Sequence, residues 1–187
     1  MDNGDTRDTL TPLGKQIVRE MAVAMGKPFV KTGFPEKAFG DDHEGPLTVG
    51  EVAVFNEFGT EFTPARPFMA MAYEQHRDEM RAFIDREVSL IAQGKSTFKH
   101  SLDRVGGRHQ GHIRKVIGSN VPPPNSPFTI ENKLRRGGSR ITSGSAPGAA
   151  DAKNTTLIDT GQMRQAVTFE TVMPPVPGRP LTGADNG

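Results

Sequence analysis

Apolar residues recur at Leu13, Ile17, Met21 and Ala24/Met25, tracing one face of a helix. It opens at Thr11-Pro12, where threonine suits the N-cap and proline the first helical position, and it closes at Gly26 and Pro28. Phe29 to Phe34 then alternates as a short strand, with Val30 and Thr32 set against Lys31; Gly33 and Pro35 keep it from a sheet centre. Thr48 with Glu51 three residues later forms a capping box for a short helix through Val52, Ala53, Phe55 and Asn56, stopped by Gly59. The strongest periodicity runs from Phe68 to Gln93, where Met69, Tyr73, His76, Met80, Phe83/Ile84, Val88 and Ile91 keep a spacing of three and four. At 1.5 Å per residue that helix is about 39 Å long, and Gly94 ends it.

Ser96 or Thr97 caps a second long segment with Phe98, Leu102, Val105, His109, His112 and Val116 on one stripe. Gly106, Gly107 and Gly111 interrupt it, each costing about 1 kcal/mol against alanine, so a kink or a close approach is expected. The stripes on both long helices are expected to be core, a coiled-coil partner being the lesser alternative. Val121-Pro122-Pro123-Pro124 is an extended connector, and Ser126-Pro127 restarts a short helix through Phe128, Ile130 and Leu134. Leu157 to Met163 leads into one turn of helix, and Gln165 to Val172 alternates as a strand. The pattern predicts an α+β fold: a small antiparallel or mixed sheet with two long and several short helices, flexible loops and an extended C-terminal tail. A flexible arm (residues 1–9), a single domain (10–173) carrying a flexible loop (135–156), and a Pro/Gly-rich tail (174–187) make up the organisation.

Composition sharpens this. Of 187 residues 34% are apolar, with 21 glycines, and the polar, Gly/Ser/Pro-rich stretches account for much of the shortfall. The net charge of +1 lacks the excess of Lys and Arg that drives a dedicated nucleic-acid binder. With no cysteine, disulfides, thiol catalysis and thiolate metal sites are excluded. No apolar run approaches a membrane helix and the N-terminus does not resemble a signal peptide, so a soluble protein made in the cytoplasm is expected.

One stretch stands apart. Val52 to Met69 holds Phe55, Phe58, Phe62 and Phe68, four of eleven phenylalanines, braced by Gly59, Pro64 and Pro67. Candidate chemistry elsewhere is sparse. His109-x-x-His112 has a helical metal-ligand spacing and is the basis for an alternative function, a small metal-dependent hydrolase; the plain account is two half-buried helix residues. Glu57 and Glu61 flank Gly59 as an imaginable acid and base, more simply as surface carboxylates. Lys133, Arg135, Arg136 and Arg140 surround Gly137-Gly138, a basic tip that could face DNA, and they carry a second alternative, a nucleic-acid-binding module.

Phe55-Asn56-Glu57-Phe58-Gly59-Thr60, followed by Pro64-Ala65-Arg66-Pro67-Phe68-Met69, resembles the H/N-E-F-G-T…I-P-A-R-P-F-L block of the phage virion morphogenesis, or tail-completion, family. Leu157-Ile158-Asp159-Thr160-Gly161-Gln162-Met163-Arg164 is similar to that family's P-L-I-D-T-G-x-L block, and Pro124 to Ile130 to the segment before it. The resemblance implies a non-enzymatic protein of the virion neck in long-tailed phages, without cofactor or membrane, assembled in the host cytoplasm. It implies a homo-oligomeric ring, a hexamer or a multiple of six, that completes the tail and joins it to the head. Its partners would be head connector or stopper proteins, tail tube or tail terminator proteins, and genomic DNA in the lumen. A ring subunit must show its neighbours two different faces, and Phe58, Phe62 and Arg66 are the expected contact. Two features depart from the family: about twenty residues intervene before the L-I-D-T-G block, and the tail beyond Met173 lies outside the shared region.

Overall fold

The computed structural model describes residues 10–40, 47–135, 155–157 and 161–175, without the side chains of residues 37, 39 and 132–135. The described elements are α1 (Pro12–Met25), β1 (Phe29–Gly33), a 3₁₀ turn (Glu36–Phe39), α2 (Val49–Phe58), α3 (Phe68–Ala92), α4 (Phe98–Ile117), α5 (Pro127–Arg135), α6 (Gln162–Ala166) and β2 (Thr168–Val172). The two strands pair with each other as a two-stranded antiparallel sheet, giving an α+β fold dominated by helix. No helix among the described residues is long and apolar enough to cross a membrane.

The local signals act as their chemistry requires. Thr11 accepts the Gly14 N–H at 3.1 Å at the start of α1. Thr48 and Glu51 close a reciprocal capping box, with Glu51 accepting the Thr48 N–H at 2.8 Å and Thr48 accepting the Glu51 N–H at 3.3 Å. Ser126 accepts the Thr129 N–H at 3.2 Å at the entry of α5.

The chain divides into two compact units. One holds residues 32–77 and 107–169 and contains the apolar core. There Phe68, Ala72, Ile113, Ile117, Val121 and Val167 have no exposed surface, and Val49, Ala53, Val116, Leu157 and Met163 complete the cluster. Phe34 meets Phe68 edge-on, with ring centroids 6.2 Å apart. Burying a side chain of this size is worth about 1.5–3 kcal/mol, so this cluster carries most of the unit's apolar stabilisation. Gln110 and Arg114 of α4 each donate to the Val167 carbonyl, at 2.7 and 2.8 Å, tying β2 to the helix.

The other unit comprises, among the described residues, 10–31, 78–106 and 170–175, and several polar contacts lie within it. Gln16 of α1 donates to the Gly94 carbonyl at 2.9 Å, and Glu20 accepts the Phe98 N–H at 2.7 Å at the start of α4. Glu87 is 2% exposed and pairs with Arg104 at 3.1 Å, whose guanidinium also lies over the Phe83 ring at 5.6 Å. A carboxylate this buried requires such a cation, because an unpaired charge would cost several kcal/mol.

Three expectations change. α1 is docked, but through Gln16 and Glu20; none of its residues is buried, and Val18, Met21 and Met25 are half or more exposed. Likewise the α3 stripe is not all core, for Tyr73, Ile84 and Val88 are exposed while Phe68, Ala72 and Ile91 are buried. A 25-residue helix offers more apolar perimeter than its described neighbours cover. α4 runs unbroken past its glycines, and neither a kink nor a close approach marks Gly107 or Gly111: a Cβ at Gly107 would stand at ordinary contact distance, 3.7 Å, from the Phe169 ring, and one at Gly111 would meet nothing within 4 Å.

Candidate functional site

The signature stretch folds into a turn whose backbone has almost no freedom. Gly59 ends α2 at φ 77° and ψ 174°, a region essentially open only to glycine, and its N–H donates to Phe55. A Cβ there would lie 2.8 Å from the Ala65 nitrogen. The Thr60 N–H donates to the Thr63 carbonyl at 2.8 Å, while the Thr60 hydroxyl accepts the N–H groups of Phe62 and Thr63. The turn closes where the Arg66 N–H donates to the Asn56 carbonyl at 2.6 Å.

Glu57 then has a plain task. Its two carboxylate oxygens accept the N–H groups of Met69 and Ala70, at 2.9 and 3.1 Å, satisfying unpaired donors at the start of α3 where the helix dipole favours negative charge. Glu57 is thus a helix cap contributed from outside the helix.

Arg66 points inward. Only 6% exposed, it donates from Nε to the Pro123 carbonyl at 2.9 Å and from Nη2 to Pro124 and to Asn125 Oδ1, at 3.4 and 3.5 Å. Burial lowers its pKa, yet a guanidinium keeps its charge. Asn125 in turn donates to the Thr155 carbonyl at 3.4 Å. The three prolines of the connector have no N–H, so their carbonyls are the acceptors left for Arg66 to bind.

These bonds frame a cleft of about 530 Å³. Its walls come from three segments: Asn56, Phe62 and Arg66 from the turn, Pro123, Asn125 and Thr129 from the connector and α5, and Leu157 and Met163 from the last block. The three stretches that carry the family resemblance, far apart in sequence, therefore meet around one concavity within one unit.

Phe58 and Phe62, the other expected contact residues, are 76% and 89% exposed, unlike the buried Arg66. Lys133 and Arg135 fall on the last turn of α5, with their side chains outside the described residues, as are Arg136 and Arg140 altogether.

His109 and His112 both lie on α4. His112, 9% exposed, stacks on His76 of α3, with ring centroids 3.8 Å apart and planes inclined by 11°. His109 is half-buried, its Nε2 has no hydrogen-bond partner, and burial, then the nearby His76, pushes its pKa down. Sequence reasoning treated His76 as one more member of an apolar stripe; nothing local marks it as the partner of a residue on another helix. Compared with protein-family models, curated proteins and solved structures, the chain gives no match.

Proposed function

We propose that the protein is a non-enzymatic structural subunit of a phage neck, assembling as a ring of six copies or a multiple of six that completes the tail and joins it to the head around the DNA channel. The observation that carries this reading is the pairing of Phe58 and Phe62, 76% and 89% exposed, with a turn whose backbone is pinned at Gly59, Thr60 and Arg66. Large apolar side chains set in water on a fixed backbone are suited to a contact, because less backbone ordering entropy remains to be lost on docking. The exposed apolar positions on α1 (Val18, Met21 and Met25) and on α3 (Tyr73, Ile84 and Val88) provide further surface of the kind a heterologous ring contact needs. The sequence blocks that resemble the tail-completion family add the context, and their convergence on one cleft fits a shared structural unit.

The test is the oligomeric state. Purified protein at high micromolar concentration should form closed rings by negative-stain electron microscopy, with a matching mass by light scattering. Changing Phe58 and Phe62 together to serine should leave monomers with unaltered helix content by circular dichroism. A wild-type protein that remains monomeric, or a double variant that assembles as before, would sink the proposal.

A further inference from the structure

Arg66 is fastened at two of its three nitrogens. Nε and Nη2 donate to Pro123, Pro124 and Asn125, whereas Nη1 has no hydrogen-bond partner, and the guanidinium no carboxylate partner, among the described residues. Burial alone shifts its pKa, downward, and no acidic neighbour opposes that shift. A buried cation held only by neutral acceptors lacks the counter-charge that a low-dielectric site calls for. The Thr156 hydroxyl, in the wall of the same cleft, is likewise buried without a hydrogen-bond partner. Guanidinium and hydroxyl are both donors, so the ligand chemistry they call for is an anionic acceptor, and a carboxylate matches it. The cleft and the residues that line it belong to one unit.

We propose that this cleft binds a carboxylate carried by residues 1–9 of a second copy of the chain, inserted in extended form. The volume, about 530 Å³, selects an extended segment, because two turns of helix about 10 Å across and about 11 Å long would need about 850 Å³. The charge selects this segment. Met1-Asp2-Asn3-Gly4-Asp5-Thr6-Arg7-Asp8-Thr9 carries three side-chain carboxylates against one guanidinium, whereas the tail from Val176 to Gly187 sets only Asp185 against Arg179. Gly4 and Thr6 flank Asp5 with small side chains, which lets its carboxylate lead into a narrow cleft. The position of Phe62 selects a second copy: it lines the cleft, is 89% exposed and belongs to the contact proposed for the ring, so the mouth opens where a neighbour stands in a ring, and arm exchange rests on that reading.

The absence of cysteine makes the contact testable by disulfide trapping in the full-length protein. Thr6→Cys/Thr63→Cys puts one thiol on the arm and one in the cleft, and it spares the signature turn, where Thr63 bonds through its backbone. Mild oxidation of the assembled protein should give a ladder of covalently linked copies on a non-reducing gel, and either single variant should give none beyond a dimer. Asp2→Asn, Asp5→Asn and Asp8→Asn, added together to the double variant, should slow formation of the ladder about tenfold, the loss expected of a charge-assisted hydrogen bond. Arg66→Gln should slow it equally; the arm variants lie outside the core cluster and keep the question decidable if Arg66→Gln does not fold. Rings seen by electron microscopy without a ladder would overturn arm binding and leave the ring reading standing, whereas a wild type that stays monomeric would sink both. An internal disulfide on single chains, a ladder undiminished by the three asparagines, or one formed instead by Thr182→Cys/Thr63→Cys would also overturn the proposal.

Discussion

Arg66 Nε donates to the Pro123 carbonyl at 2.9 Å across 57 residues of sequence, fastening the signature turn to the proline connector. With Nη2 reaching Pro124 and Asn125 as well, one planar fork orders the wall of the cleft. Removing it strands buried carbonyls. Arg66→Ala should therefore cost about 3 kcal/mol in urea unfolding, and Arg66→Lys about 1–2 kcal/mol, because an ammonium cannot match the fork. Equal stability of Arg66→Lys and wild type would show that charge alone matters there.

The Glu57 cap gives a smaller and separable effect. Glu57→Gln retains size and one acceptor but loses the charge facing the α3 N-terminus. A loss of about 0.5–1 kcal/mol is expected, with the deficit shrinking in high salt as the dipole interaction is screened. A catalytic carboxylate would show no such salt-dependent stability change.

Gly59→Ala should be the most damaging single change in the turn. At φ 77° and ψ 174° an L side chain is strained by about 1–3 kcal/mol, and the added carbon would meet the Ala65 nitrogen at 2.8 Å. The backbone cannot yield without breaking the Arg66 to Asn56 hydrogen bond, so a total cost of about 3 kcal/mol is expected by chemical denaturation.

In the polar unit, Thr171 donates its hydroxyl to Asp103 at 2.6 Å, and this bond, opposed by partial burial and aided by Lys99, lowers the Asp103 pKa below 3.8. A depressed folded pKa stabilises above the unfolded value and loses that contribution as pH falls through the folded one. Thr171→Val should thus be less stable than wild type by a constant margin from about pH 5 to 7, and the gap should narrow progressively as the pH falls below about 4. Asp103 is partly solvated, so the margin should be no more than about 1 kcal/mol. A gap that did not begin to narrow as the pH fell below about 4 would mean that packing of the hydroxyl, not the carboxylate, is what the variant removes.

Several features were legible because they are local. Thr11-Pro12, the Thr48/Glu51 box, the Ser126 cap and the glycines after α1, α2 and α3 all act within a few residues of themselves, and each element falls where those residues put it. Gly59 in particular needed only its place after a helix to be identified as a stop. The direction of Arg66 was not legible, because its acceptors are backbone carbonyls that any sequence possesses. Glu57 was equally opaque, since its partners are the N–H groups of a helix that begins eleven residues later.

By itself, the sequence determined the helices, the first strand, the capping chemistry, the stiffness of the aromatic turn and the absence of thiol chemistry, all properties of short windows or of composition; the strand expected over Gln165–Val172 begins only at Thr168, since Gln165 and Ala166 complete α6. Only the tertiary structure decided which faces are covered. It buried Phe68 and exposed Phe62, spent Arg66 inside the chain, left Tyr73, Ile84 and Val88 open on α3, and set His112 against His76 rather than His109. Periodicity states that a face is apolar, whereas what lies opposite that face depends on contacts between residues far apart in the chain, which no local pattern encodes.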